Sequence, residues 1–259
     1  MIPRGFGPTP RPAKNGAAEL RQMKADRLYA YQTSQDRFRL LFDGAAVSFI
    51  YVVTVQHMWA SDYTVARMAR FWTMWGCWSC AAYFAVAFFR TAARVLGMQS
   101  ARKPRLGVAE RLADACQHTA VVVGLTVTLL FWLLYVQSPG AVFRIDGDWQ
   151  PTVFEALYYT HFEHTVPLLL LLVDCAVFQQ GNRHAKEAYP VTRFAPLVAA
   201  SVYVGIVLYD FFCCDIRPYP FMDQWPLSWL LSFVLVFFTL LTSFFNPLAL
   251  FVRTILPLF

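Results

Sequence analysis

The sequence predicts an all-α integral membrane protein, a six-transmembrane-helix bundle with a polar, basic N-terminal arm. Hydrophobic residues make up 58% of the 259 residues and charged residues only 15%, a composition that excludes an ordinary soluble globular domain. Six apolar segments each come close to the roughly 20 residues that cross a bilayer as a helix. Lysine and arginine are concentrated in alternate loops, which is typical of a chain that crosses a membrane repeatedly.

The arm comprises residues 1–39, and the transmembrane domain comprises residues 40–259. The arm is basic and begins with a run rich in proline and glycine. Its second part, residues 17–39, carries apolar side chains toward one side and is predicted to form a helix at the surface.

The six spans are predicted near residues 40–59, 71–89, 117–136, 155–178, 195–214 and 226–250. Pro167 in the fourth span and Pro247 in the sixth are expected to kink or cap their helices, because proline lacks an amide hydrogen and clashes with the preceding turn. Tryptophans near the span ends are typical of an aromatic belt at the membrane interface; they are Trp59, Trp72, Trp75, Trp225 and Trp229.

The loop charges predict the orientation of the spans. The arm, the 90–116 and 179–194 loops and the C-terminal tail together hold 18 lysine and arginine residues, whereas the 60–70, 137–154 and 215–225 loops hold 4. Six spans place these two groups on opposite faces, and the more basic face stays in the cytosol or the mitochondrial matrix. Both termini are therefore expected on that face.

The most informative polar stretch lies at the head of the fourth span and includes His161, Glu163 and His164. The two histidines are three residues apart, so they share one face of a helix. Ionisable groups inside a span are costly, and by default they face the bundle interior and mark a functional site. The alternative is a pair of interface histidines bonded to neighbouring carbonyl groups.

Two further polar segments lie on the same, less basic face. Thr73 begins the second span within the run Arg-Phe-Trp-Thr at residues 70–73, and the 215–225 loop covers that face. A threonine hydroxyl needs an adjacent base to act as a nucleophile, and a neutral histidine can take its proton. Backbone N–H groups or Arg70 can then stabilise an oxyanion. The alternative is that Thr73 only caps its helix.

Other polar residues within or near the spans are expected to be structural. Asp43, Asp174 and Asp210 are expected to pair with arginine or backbone.

No metal or cofactor is expected, because Cys77 and Cys80 form an isolated CxxC pair without further ligands at zinc-site spacing. The histidines also lack the spacing that two stacked haems require, which disfavours a haem-binding bundle. A bound phospholipid or fatty-acyl lipid suits the bundle, and the expected partners are membrane lipids rather than nucleic acid.

Four motifs occur in order over roughly residues 40–250. They are the run at residues 70–73, a His-x-x-His-Thr followed by proline at residues 161–167, His184 with Tyr189-Pro190, and Tyr219-Pro220-Phe221 followed by Asp223. This series resembles the androgen-inducible and androgen-dependent TFPI-regulating membrane proteins, which are multi-pass threonine hydrolases of fatty-acid esters of hydroxy fatty acids. The sequence departs from that pattern at Thr160, where the family has asparagine, and at Glu163, where it has a small or apolar residue.

The resemblance implies that Thr73 is the nucleophile, His164 the base and His161 a supporting group. It also implies contacts to substrate or lipid from Arg70, Trp72, Glu163, Tyr219, Phe221 and Asp223. Because a negative charge beside a histidine favours the imidazolium form, Glu163 is expected to weaken His164 as a base.

Two functions are consistent with these observations. The one favoured by the arm is an accessory subunit of a large membrane assembly, a respiratory-type complex of the mitochondrial inner membrane, built on the hydrolase-like fold. A polar terminus is ordered only where something holds it, so residues 1–39 would dock on other subunits. The alternative is an active membrane-embedded hydrolase of fatty-acid esters, and the basic arm suits the cytosolic face of the endoplasmic reticulum almost as well.

Overall fold

The computed structural model describes residues 14–60, 64–96, 108–137, 161–178, 189–223 and 225–256. Over these residues the regular structure is helical, which confirms the all-α part of the predicted fold class. The principal α-helices are α1 (Lys14–Ala60), α2 (Val65–Met68), α3 (Trp72–Val95), α4 (Val108–Gln137), α5 (Val166–Phe178), α6 (Ala195–Tyr209), α7 (Leu227–Leu240) and α8 (Asn246–Ile255).

Four helical stretches are long and apolar enough to cross a membrane, and they coincide with the first, third, fifth and sixth predicted spans. They are Ser34–Trp59, Glu110–Gln137, Tyr189–Cys214 and Leu227–Ile255. The second predicted span overlaps α3, of 24 residues, and the fourth overlaps α5, of 13 residues, with residues 155–160 of that span outside the described residues. Neither helix is among the four stretches that meet the spanning criteria. The described residues thus support a helical, multi-pass membrane protein in which four spans meet the length and hydropathy that a bilayer requires.

The first span is part of a longer helix. α1 runs for 47 residues without interruption, so the surface helix predicted over residues 17–39 continues directly into the membrane segment. The proline- and glycine-rich residues 1–13 of the arm lie outside the described residues. Over the part of the arm that the structure describes, the arm and the first span therefore form one continuous helix.

α3 and α4 form the centre of the bundle and hold many of its buried residues. Gly76 of α3 allows this close packing, because a Cβ atom there would lie 3.2 Å from a methyl group of Val127 in α4. That distance is tighter than ordinary van der Waals contact. A side chain at position 76 would require Val127 to shift by a few tenths of an ångström.

Both predicted proline breaks are confirmed. The helical turn at residues 161–164 is interrupted at Thr165, and α5 then begins with Val166 and Pro167. In the last span a π-helical turn over Leu241–Phe245 separates α7 from α8, whose first turn holds Pro247. Proline is tolerated at a helix start because the first-turn amides have no intrahelical partner there.

The end of α6 brings the following loop back over the start of α3. α6 passes into a π-helical turn over Asp210–Cys214, and Asp215 adopts a left-handed conformation with φ of 49°. The amide of Ile216 donates to the carbonyl of Asp210 across 3.0 Å. Arg70, just before α3, pairs with Asp210 across 2.8 Å between Nε and Oδ2. These contacts place Tyr219 against the first turn of α3.

A buried polar cluster joins α1, α3, α4, α5 and α8. Its centre is Asp174, which is fully buried. Arg39 lies 3.3 Å from Asp174, Tyr83 donates to the same carboxylate, and Gln117 donates to it across 3.3 Å. Gln117 in turn accepts from Arg253 across 2.8 Å. Each group in this cluster is held by a helix distant in sequence, so the cluster ties the bundle together.

The prediction that the intramembrane aspartates pair with arginine is confirmed. Asp43 and Asp174 both lie beside Arg39, and Asp210 lies beside Arg70. Charges placed in an apolar bundle need such partners, because the desolvated ion is otherwise expensive to bury.

Candidate active site

Thr73 is the second residue of α3 and lies in its first, open turn. Phe71, which precedes the helix, has extended backbone and provides no side-chain cap. The first-turn N–H groups therefore need partners from elsewhere, and the Trp72 N–H donates to Oη of Tyr219 across 2.9 Å. The Thr73 hydroxyl oxygen, Oγ1, lies 3.1 Å from Nε2 of His164. Thr73 is thus engaged with an imidazole, as the hydrolase interpretation requires.

Two residues of α4 contact His164, one at its ring and one at its backbone. The imidazole is buried and stacks on the ring of Phe131, with ring centroids 3.5 Å apart. Thr128, nearly one turn earlier on α4, donates its hydroxyl to the backbone carbonyl of His164. Ring and backbone are both fixed, so Nε2 is directed at Thr73 before any substrate binds.

Tyr219 completes the polar end of the site. Its hydroxyl oxygen accepts the Trp72 N–H across 2.9 Å, and the hydroxyl groups of Thr73 and Tyr203 lie close enough to affect its pKa. Burial raises the pKa of Tyr219 above that of an ordinary tyrosine, although the neighbouring Tyr203, Trp72 and Thr73 groups act in the opposite direction. The phenol therefore keeps its proton at neutral pH and can donate a hydrogen bond.

A cavity of about 250 Å³ ends at these groups. Its polar lining comes from Thr73, Thr126, His164, Tyr203 and Tyr219. Apolar side chains of α4 and α7 line much of the rest, among them Leu130, Leu133, Phe233, Val236, Phe237 and Leu240. A mostly apolar cavity with a few convergent polar groups is typical of a small-molecule site, and its chemistry suits a fatty-acyl chain.

The structure brings Thr73, His164 and Tyr219 together from three segments that are far apart in the sequence. Trp72 and Phe221, both predicted to contact lipid, line the same cavity. These five residues all come from the less basic side of the predicted topology.

Arg70 and Glu163 lie close in sequence to the site but have other partners. The guanidinium of Arg70, suggested as an oxyanion donor, is paired with Asp210. The carboxylate of Glu163, expected to charge His164, is buried and pairs with Nδ1 of His57 in α1. Glu163 thus has a partner in α1, and its expected effect on His164 stays a prediction.

His161 and Asp223 are not brought to the Thr73 hydroxyl. His161 is exposed, and its ring centroid lies 5.2 Å from that of Trp132 on α4. Both histidine rings contact aromatic rings of α4 and so share one face, as their spacing predicted, but His164 is the one that contacts Thr73. Asp223 is exposed and is not among the described residues that line the cavity. The motif residues Thr160 and His184 lie outside the described residues.

Sequence reasoning missed Thr128, Phe131 and Tyr203. The first two lie in the apolar third span, where nothing in the local pattern distinguishes them from ordinary core residues. Tyr203 did carry a signal, because a tyrosine in the middle of a span needs a partner for its hydroxyl.

Comparison with known protein families matches residues 38–253 to the family described as FAR-17a/AIG1-like protein. The match includes every residue of the site described above. No curated protein matches the chain, and no solved structure matches it either.

Proposed function

The chain belongs to the FAR-17a/AIG1-like family, and on that premise we propose that it is a membrane-embedded threonine hydrolase of fatty-acid esters. Thr73 is the nucleophile and His164 the general base. The observation that carries this proposal is the 3.1 Å contact between Thr73 Oγ1 and His164 Nε2 at the end of an apolar cavity. A hydroxyl within reach of an imidazole, beside space for an acyl chain, meets the requirements of nucleophilic ester cleavage.

The reaction runs in two steps. In the first, Thr73 passes its proton to Nε2 of His164 while Oγ1 attacks the ester carbonyl carbon. Collapse of the tetrahedral oxyanion expels the alkoxide of the hydroxy fatty acid, which takes the proton from His164 and leaves an acyl ester on Thr73. In the second step water gives a proton to His164 and attacks that ester, and the returning proton restores the Thr73 hydroxyl as the fatty acid leaves.

Tyr219 donates the hydrogen bond that stabilises the oxyanion, a role that the sequence suggested for Arg70. The oxyanion forms beside Oγ1, so its donors must lie close to Thr73. The phenol oxygen already accepts the Trp72 N–H, and its own proton is therefore available to an oxyanion that forms beside Thr73. The donor is in place before substrate arrives.

Replacing Tyr219 with phenylalanine is expected to lower kcat by on the order of 10²-fold, the usual effect of losing one oxyanion donor. KM changes little, because the ring that lines the cavity stays. Steady-state kinetics with a fatty-acid ester measures both constants. Tyr209→Phe is the matched control, since Tyr209 is exposed at the end of α6. Wild-type kcat in Tyr219→Phe would contradict the assignment.

The proposed function is tested with the purified protein in lipid nanodiscs and a fatty-acid ester of a hydroxy fatty acid. Mass spectrometry then quantifies the free fatty acid and the free hydroxy acid, which we expect in equal amounts. Nanodiscs without protein give the spontaneous rate. A folded, monodisperse protein that hydrolyses neither this ester nor a simpler fatty-acid ester would overturn the proposal.

We further propose the six-span topology, with both termini on the more basic face and the active site at the opposite face. The four spanning stretches and the loop charges support it. Family membership favours the hydrolase over the accessory subunit as the main function. A docking partner for residues 1–39, and a location in the mitochondrial inner membrane or the endoplasmic reticulum, stay predictions that fractionation and co-purification can test.

A further inference from the structure

The cavity that ends at Thr73 opens at the side of the helix bundle, between α4 and α7. Leu133 of α4 and Val236 of α7 both line it, yet 56% and 53% of these residues are exposed. Other lining residues of the same two helices, Phe131 and Phe237, are buried. Two exposed residues on different helices therefore mark an opening in the wall. Both helices lie in stretches that can cross a membrane, so the opening faces lipid.

A groove continues from this opening along the outside of α7. It has a volume of about 350 Å³ and is lined by Trp225, Trp229, Ser232, Phe233 and Val236. Phe233 and Val236 line the groove and the cavity alike, so their side chains form the shared wall. Along α7 the lining passes from the groove at Trp229, through these two residues, to the cavity at Phe237.

The groove reaches from the membrane interface into the hydrocarbon layer. Trp225 and Trp229 stand at the start of α7, where tryptophans are typical of the interface. Val236 lies nine residues after Leu227, the first residue of α7, which is roughly 13 Å along the helix. The opening therefore lies at the depth of acyl chains rather than of headgroups.

We propose that this groove is the entry site for the acyl chain of an ester lipid that is already dissolved in the bilayer. The proposal rests on the proposed hydrolase function and deepens it by naming the route and the physical state of the substrate. Ser232 donates its hydroxyl to the carbonyl of Ser228 across 2.8 Å, so the groove offers the chain an apolar surface. A chain that enters here passes from lipid to cavity without crossing water, which avoids exposing its methylene groups.

The test compares two substrates, a long-chain fatty-acid ester in nanodiscs and the water-soluble ester p-nitrophenyl acetate. Ser232→Trp fills the groove outside the cavity, and we expect it to lower kcat/KM for the long-chain ester by about tenfold or more. Hydrolysis of the soluble ester is expected to stay at the wild-type rate. Leu231→Trp places the same indole side chain on another exposed face of α7 and is expected to change neither rate. Val236→Trp, at the opening itself, is expected to lower long-chain turnover further than Ser232→Trp does.

The outcomes separate the two proposals. If the wild-type protein hydrolyses neither ester, the hydrolase function fails and the entry site fails with it. If the wild-type protein hydrolyses both, and Ser232→Trp leaves both unchanged or lowers both equally, the entry site alone is wrong. Because position 232 is exposed on a lipid-facing helix, tryptophan there does not disturb the core, and equal losses contradict the entry site directly.

Discussion

Alanine in place of Thr73 is expected to abolish ester hydrolysis, with kcat lowered by on the order of 10³-fold or more. The substitution removes the oxygen that forms the acyl intermediate, and the remaining donors cannot replace it. His164→Ala is expected to be similarly severe, since it removes the imidazole that lies 3.1 Å from Oγ1. The double variant should be little worse than either single variant, because nucleophile and base act as one unit. Steady-state kinetics in nanodiscs measures all three.

Thr239→Ala is the matched control for Thr73→Ala. Thr239 is exposed on α7, and its hydroxyl donates to the carbonyl of Leu235 across 2.8 Å. Loss of the Thr239 hydroxyl in Thr239→Ala is expected to leave kcat unchanged. Thr73→Ser retains a hydroxyl beside His164 and is expected to keep measurable activity. Hydrolysis at the wild-type rate by a folded Thr73→Ala protein would remove Thr73 from the mechanism.

Alanine in place of Asp174 is expected to destabilise the fold by about 3–5 kcal/mol, the usual cost of breaking a buried charge pair by removing one partner. The change leaves Arg39, Tyr83 and Gln117 without the carboxylate that they share. For a chain of this size the melting temperature should fall by roughly 10 °C. Thermal unfolding in a fixed detergent measures the shift.

Asp36→Ala is the corresponding control. Asp36 pairs with Arg94 across 3.1 Å, but both side chains are partly exposed, and such surface pairs contribute about 0–1 kcal/mol. The melting temperature of the Asp36→Ala protein should therefore stay near that of the wild type. If Asp174→Ala and Asp36→Ala melt together, the buried cluster does not stabilise the bundle in the way its contacts indicate.

The apolar stretches could be predicted because they depend on local quantities. Runs of apolar residues mark the four stretches that can cross a membrane, whereas the orientation that the loop charges predict stays a proposal. The same patterns predicted that Thr73, His164 and Tyr219 would meet, and the structure brings them together. The proline breaks were predictable for the same reason, since proline acts within one turn of its own position.

The partners of individual side chains could not be predicted, because they depend on how the helices are arranged around the bundle. Arg70 is close in sequence to Thr73, yet it pairs with Asp210 from a distant span. Glu163 is adjacent to His164 in sequence, yet its carboxylate pairs with His57 in α1. Neither pairing has a periodic signal in the sequence. The roles suggested for Arg70 and Glu163 came from their closeness in sequence to Thr73 and His164, whereas in the structure each side chain pairs with a distant helix.

The most direct test of Thr73 as nucleophile is to map the residue that a fluorophosphonate modifies in the purified protein. Such a probe phosphonylates an activated hydroxyl nucleophile, and peptide mass spectrometry then locates the adduct. We expect the adduct on Thr73, its disappearance in Thr73→Ala, and much slower labelling in His164→Ala. An adduct on a different residue, in a preparation that hydrolyses fatty-acid esters, would show that the catalytic nucleophile lies elsewhere in the chain.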